Sequence, residues 1–221
     1  MSTNILPWLC IYLEFGLKAI LFYLLKKDGK FLAVGFCICI VLLVKQIEKS
    51  FEKRQQKLFA IYDIPKKSAL AFIDSQECYF LADSGLVTNK SQMQFSVYQH
   101  WWSRGIEENH VTYRRNSSYI KTSSLSLNRD FIDFKGIKML LLNKESLLNY
   151  RGNEIDLDFI ILSKNVRVSI KQIHEKFSAR KIIIDSSNSF YVANKWLNEA
   201  KELSIPCYSV TQGGAFVFDL N

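Results

Sequence analysis

Residues 5–25 form a long apolar run interrupted only by Glu14 and Lys18. As a helix those 21 residues extend about 31 Å, close to the roughly 30 Å of a bilayer's hydrocarbon core. Trp8 and Tyr23 fall near its ends, where amphipathic aromatics favour the interface. After Lys26-Lys27-Asp28-Gly29-Lys30 a second run, Phe31 to Val44, carries no charge, but it covers only about 21 Å. It spans only with tilt, thinning or partners, and it continues into KQIEKSFEKRQQK, where Ile47 and Phe51 keep one apolar stripe. A cleavable leader is disfavoured, because no Lys or Arg precedes the run and no small-x-small site follows it. The competing reading is a buried helical hairpin; membrane insertion is the better account.

From Leu58 the pattern shortens. LFAIYDI (58–64), SALAFID (68–74) and ECYFLAD (77–83) are separated by Pro65-Lys66-Lys67 and by Ser75-Gln76, which predicts an antiparallel meander. Phe95, Tyr98, Trp102 and Ile106 recur at helical spacing over 92–106. Residues 107–129 are polar and show no clear period. FIDF, Lys135-Gly136 and IKMLLLN predict a hairpin, and LDFIILS (157–163) reads as a strand buried on both faces. A helix over 169–178, strand 181–185, helix 190–203, strand 207–210 and a last strand 215–220 alternate thereafter. That alternation predicts a layered α/β domain over 58–221, with 1–57 as a separate N-terminal segment of membrane helices and connecting amphipathic helix.

Charge refines the picture only modestly. The chain has 29 Lys and Arg against 21 Asp and Glu, a net charge of +8. Residues 58–221 hold 20 of the former and 17 of the latter, an excess of three. The basic side chains concentrate between 104 and 138, where Arg104, Arg114, Arg115 and Lys121 interleave with Tyr113 and Tyr119 and follow Trp101 and Trp102. Cations among aromatics can hold a phosphate backbone and stacked bases; an ordinary solvated face is the bland alternative. The five Cys are too few and too odd in number for a disulfide framework and read as buried small hydrophobes.

Hydrolytic chemistry finds little to work with. Asp63, Asp83, Asp158 and Asp185 fall near strand ends, but His100, His110 and His174 form no H-x-H or H-x-x-x-H pair. No G-x-S-x-G elbow, phosphate-binding loop or dinucleotide fingerprint occurs. Ser186-Ser187-Asn188-Ser189 reads as a strand-to-helix turn with capping hydroxyls.

In order, these segments resemble the C-terminal region of the ComEC family, the membrane channel proteins of bacterial DNA uptake. Ile61-Tyr62-Asp63-Ile64-Pro65-Lys66-Lys67-Ser68-Ala69 stands where that family has a strand ending D-V-G-Q-G-D-A, and Phe80-Leu81-Ala82-Asp83-Ser84-Gly85 where it has L-I-D-T-G. Leu141-Leu142-Asn143-Lys144 replaces L-L-T-G-D, and Asp158-Phe159-Ile160-Ile161-Leu162-Ser163-Lys164-Asn165 replaces D-V-L-K-v-x-H-H. Ser204-Ile205-Pro206-Cys207-Tyr208 through Gly213-Gly214-Ala215-Phe216 echoes the family's ending, G-I-P-V-Y-R-T-D-x-x-G-A-I. The family's H-x-H-x-D-H loop has no counterpart between Gly85 and Phe131, and its later His is missing.

The resemblance implies a degenerate metallo-β-lactamase-like αββα sandwich preceded by one or two transmembrane helices, at the cell (inner) membrane. It lends fold and setting without the hydrolytic activity: no catalytic residue, no bound metal and no cofactor are expected. Asp83, Lys164, Asn165 and Asp185 are expected to mark the remnant pocket, with Lys164 supplying the positive charge a lost metal leaves behind. A family member has many more membrane helices, so the chain reads as a fragment, truncated gene or split protein. DNA, the membrane and the rest of a channel on another chain are the expected partners. The function expected is a non-catalytic component of DNA uptake, acting as scaffold or DNA guide. A protein-interaction module without DNA contact is the alternative, and a Mg²⁺ nuclease on Asp83 and Asp185 alone is the weaker third.

Overall fold

A computed structural model of the protein describes residues 14, 18, 29–106, 108–113, 119–145 and 155–220. The chain divides between Arg54 and Gln55 into an N-terminal unit and a C-terminal domain. In the N-terminal unit the run 5–25 lies outside the described residues, apart from Glu14 and Lys18, an i,i+4 ion pair 2.5 Å apart on helical backbone. The second run lies within helix α1 (Gly29–Gln55). Among the described residues no helix is long and apolar enough to cross a membrane, because the uncharged stretch of α1 ends at Lys45 and meets Glu48 and Lys49 within a turn.

The C-terminal domain opens with the expected meander. Strands β1 (Lys57–Ile61), β2 (Ala69–Asp74) and β3 (Glu77–Ala82) pair antiparallel, Phe59 opposite Phe72 and Phe72 opposite Tyr79. Short helices α2 (Ser84–Val87) and α3 (Lys90–Met93), a π-helical turn (Gln94–Tyr98) and α4 (Gln99–Arg104) follow. Gly105, at φ 67°, closes α4 in the left-handed conformation that glycine adopts without steric cost.

The unpatterned stretch 107–129 contains three strands the sequence did not announce: β4 (Glu108–Tyr113), β5 (Tyr119–Lys121) and β6 (Leu125–Asn128). β4 and β5 are the outermost strands of their sheets, and in the short β6 only the alternate positions Leu125 and Leu127 are buried. Strands β7 (Phe131–Phe134) and β8 (Ile137–Leu142) form the expected hairpin across Lys135 and Gly136, both at positive φ as a type I′ turn requires. Next come β9 (Ile155–Leu162), α5 (Ile170–His174), β10 (Phe177–Ile184), α6 (Phe190–Glu202), β11 (Cys207–Ser209), α7 (Val210–Gly213) and β12 (Phe216–Asp219). Helix α5 is shorter than expected and β10 begins at Phe177, because that residue pairs with Ile155 and extends the parallel ladder.

Two sheets result, ordered β12-β1-β2-β3-β4 and β11-β10-β9-β8-β7-β6-β5. Phe59, Ile61, Phe72 and Leu81 of the first meet Phe134, Leu141, Phe159 and Ile183 of the second in a shared core. The opposite face of the first sheet, including Leu58, Ala71 and Phe80, is covered by Leu86, Met93, Val97 and Trp101 of the helices after β3. The opposite face of the second is covered by Ile170, Ile173, Ala193 and Trp196 of α5 and α6. Neighbouring side chains on β1 point to opposite faces, and both faces are packed, so Leu58-Phe59-Ala60-Ile61 is apolar without alternation. The layers are helix, sheet, sheet, helix.

Under α4 lies a small polar network. Trp101 Nε1 donates to Tyr62 Oη at 3.1 Å, and Tyr62 Oη lies 2.8 Å from His100 Nδ1. Tyr62 Oη thus joins the indole and the imidazole, accepting from the first and sharing one hydrogen bond with the second. Burial, reinforced by the Arg104 charge, pushes the His100 pKa below its ordinary value near 6.5. The folded state therefore takes up a proton less readily than the unfolded one. This contribution to stability is complete above about pH 6.5 and is lost as pH falls through the lower folded value. Urea midpoints should accordingly fall from pH 7.5 to pH 5, and His100→Gln should flatten part of that slope.

Candidate functional site

Strands β8, β9, β10 and β11 run parallel, with Leu142 beside Leu162, Leu162 beside Ile184 and Ile184 beside Ser209. Their carboxyl ends share one rim of the domain, the rim where open α/β sheets bind ligands. Asn143, Ser163-Lys164-Asn165 and Asp185-Ser186-Ser187-Asn188 emerge there side by side. The first sheet contributes Asp83, directly after β3, and the loop 62–68. The two sheets are tied at this point: Ile64 N–H donates to Ser186 Oγ at 3.0 Å, and Ser186 Oγ donates to the Tyr62 carbonyl at 3.0 Å.

Asp185 is fully buried and is held by several donors. Its Oδ1 accepts from Ser187 N–H at 3.0 Å, Ser187 Oγ at 2.5 Å and Asn188 Nδ2 at 3.1 Å, while Oδ2 accepts from Ser163 Oγ at 2.5 Å. The residues so fixed hold the next turn. Lys164 N–H donates to Ser187 Oγ at 2.8 Å, and Asn165 N–H to Asn188 Oδ1 at 2.8 Å. Asn165 Oδ1 in turn accepts from Ser189 N–H at 2.7 Å, just before α6. Lys164 and Asn165 lie at φ 58° and 50°, two successive left-handed residues without a glycine, a conformation that persists only where surrounding contacts impose it. Ser189 caps α6, the role expected of this polar run.

That turn delivers Lys164 to the opposite sheet. Its Nζ lies 2.6 Å from Asp83 Oδ1, with the two side chains 47% and 17% exposed. Asp83 Oδ2 also accepts from Ser68 N–H at 2.9 Å. A Cβ added at Gly85 would come within 3.0 Å of Lys67 Nζ, so a second ammonium borders the same corner. Three of the four expected pocket residues are thus linked to Asp83 through one turn: Lys164 touches it, Asn165 sets the turn and Asp185 anchors it. Lys67, Ser163, Ser187 and Asn188 were not singled out as site residues, and their type and spacing alone do not distinguish them from ordinary turn formers.

The Lys164–Asp83 pair predicts a measurable coupling. A double-mutant cycle of Lys164→Met and Asp83→Asn should give about 1 kcal/mol or less at low salt, since the lysine is half exposed, and the value should shrink as salt screens it.

The other candidate residues are dispersed. Arg104 ends α4 on the first sheet's outer layer, and its carbonyl accepts from Gln56 Nε2 at 2.8 Å. Lys121 is exposed in β5, the edge strand of the second sheet. Arg114 and Arg115 lie outside the described residues. Asp63 is exposed beyond β1. Asp158, expected near a strand end, instead lies inside β9 and accepts from Lys138 N–H at 2.9 Å.

The family model described as the ComEC C-terminal domain matches residues 59–220. The chain belongs to this family. No curated protein and no solved structure is significantly similar to it. Membership of the ComEC C-terminal domain family points to a part in competence DNA uptake.

The rim residues do not fit a catalytic Zn²⁺ or Mn²⁺, which needs imidazoles and carboxylates converging on one point. Among the described residues no three His, Cys, Asp or Glu side chains are placed to share an ion. His100 is engaged with Tyr62 and His174 lies on α5. The charge beside Asp83 is an ammonium, and Asp185 already faces four hydrogen-bond partners. The arrangement orders two loops.

Proposed function

We propose that this member of the ComEC C-terminal domain family is a non-catalytic, membrane-attached component of DNA uptake, and that its domain is a degenerate metallo-β-lactamase-like sandwich guiding DNA or bracing the channel beside it. The observation that carries the reading is the Lys164 ammonium on Asp83 at the strand-end rim. It supplies a positive charge where a hydrolase of this architecture would use a metal. The four layers and the ordered strand ends support the fold assignment.

Membrane attachment is supported by α1, where Val34, Phe36, Val41, Leu43 and Val44 are all exposed. A helix apolar around its circumference is stable when lipid or protein surrounds it, and Lys45, Lys49, Lys53 and Arg54 at its end suit an anionic surface. The net charge of +8 suits a polyanionic partner. Exposed Tyr119 and Trp102 also favour a second reading, a protein-interaction module that holds a membrane complex together without DNA.

Binding of labelled single- and double-stranded DNA to the whole detergent-solubilised chain, titrated with salt, separates the two. DNA guiding requires affinity at low ionic strength that drops steeply as salt rises. No binding at 20 mM NaCl would leave the interaction module. Near-stoichiometric Zn or Mn in the purified chain, with DNA cleavage abolished by chelation, would overturn the non-catalytic assignment.

A further inference from the structure

The helical segment from Lys90 to Arg104 has two faces of different character. Met93, Val97 and Trp101 are buried against the first sheet. On the outside, Phe95 is 78% exposed and Trp102 63% exposed, with the half-buried Tyr98 between them in sequence. The Tyr98 and Trp102 rings lie 6.2 Å apart, tilted at 38° to one another. Ser91, Gln94, Gln99 and Ser103 share the solvent side. No Asp or Glu occurs between Ser84 and Ile106, whereas Lys90 and Arg104 stand at the two ends. The π-helical turn at Gln94–Tyr98 sits within this stretch, a feature that recurs at functional sites.

We infer that this outer face is a stacking surface for single-stranded DNA, an inference that rests on the DNA-guiding reading above. Exposed aromatic rings accept the faces of unpaired bases regardless of sequence, and flanking cations hold the phosphates. Within Ser84–Ile106 itself no carboxylate opposes a polyanion. The neutral Gln and Ser side chains between the rings can donate to base edges and phosphates. A bilayer is the poorer match, because amphipathic binding scales with contiguous buried apolar area, and here the few exposed rings are set among the exposed Ser91, Gln94, Gln99 and Ser103. Duplex DNA hides its base faces, so it can use only the two cations.

The test compares the whole detergent-solubilised chain with the variants Phe95→Ala/Trp102→Ala and Lys90→Gln/Arg104→Gln, using fluorescein-labelled dT20, a 20-base-pair duplex, and vesicles of phosphatidylcholine with phosphatidylglycerol. The aromatic variant should bind dT20 roughly tenfold to a hundredfold more weakly, at one or more lost base stacks, while duplex affinity and thermal stability change little. Trp102→Phe should restore most of the loss, because a ring face is kept. The Lys/Arg variant should lower the salt slope for both nucleic acids. Unchanged dT20 affinity in the aromatic variant, with wild-type binding intact, would overturn the stacking surface and leave the DNA reading standing. Loss of vesicle binding with unchanged dT20 affinity would reassign the face to lipid. Absence of all DNA binding by the wild-type chain would remove the DNA reading itself.

Discussion

Asp185→Ala is expected to destabilise the C-terminal domain by about 3 kcal/mol, a drop of roughly 6–12 °C in melting temperature for a domain of this size. The loss comes from what surrounds the carboxyl group. Ser187 N–H, Ser187 Oγ, Asn188 Nδ2 and Ser163 Oγ all donate to Asp185; Ser163 and Asn188 are buried and Ser187 is half-buried. Truncation strands the Ser163 hydroxyl where water does not reach and takes a partner from the other donors, at about 1 kcal/mol each. Asp185→Asn should cost only about 1 kcal/mol. An amide oxygen can still accept from Ser187 N–H and Asn188 Nδ2, and the amide N–H can donate to the Ser163 hydroxyl oxygen. The contrast distinguishes an organising residue from a metal ligand or catalytic acid, for which the amide would fail as badly as the methyl group. Thermal unfolding of both variants by circular dichroism measures it. Equal destabilisation by the two would mean that the charge itself, rather than the hydrogen-bond pattern, holds the loop.

The same network shows why part of the site could be read in the sequence and part could not. Asp83 and Asp185 each follow a strongly apolar strand, so their place at a strand end was legible from hydrophobic runs alone. Lys164 could be placed beside Asp83 only through the ordered likeness to the ComEC family, because one strand lies in each sheet and nothing local links them. The turn that brings them together depends on left-handed backbone at Lys164 and Asn165, which the residue types alone would not suggest. The meander, the β7–β8 hairpin and the buried β9 were legible because both faces of each strand are packed or a two-residue turn demands Gly136. Strands β4 to β6 were not: β4 and β5 are the edge strands of their sheets, and β6 buries only the alternate positions Leu125 and Leu127. The basic cluster was legible as composition but not as a surface, for Arg104 and Lys121 fold onto different sheets.

Trp101→Ala and Trp102→Ala, one residue apart, should give opposite phenotypes. Trp101 is 3% exposed and Trp102 63%. The Trp101 ring stands edge-on to Phe80, their centroids 5.2 Å apart, and its Nε1 donates to Tyr62. Truncation opens a cavity beneath the helix and removes the donor that orients Tyr62 toward His100, a loss of about 3–5 kcal/mol. Trp102 contributes one tilted contact with Tyr98 and otherwise faces solvent, so its truncation should stay within about 0.5 kcal/mol. Urea denaturation should therefore separate the pair clearly, Trp101→Ala falling to a much lower midpoint. Binding should separate them in the other direction: at temperatures where both variants remain folded, Trp102→Ala should lose affinity for dT20 while Trp101→Ala keeps it. A Trp101→Phe variant, which restores ring volume but not the donor, should recover most of the stability and leave the shortfall of the Tyr62–His100 link, visible as a changed dependence of the midpoint on pH. If Trp102→Ala were as destabilised as Trp101→Ala, the outer face would belong to the packed core, and the stacking surface would have no ring to offer.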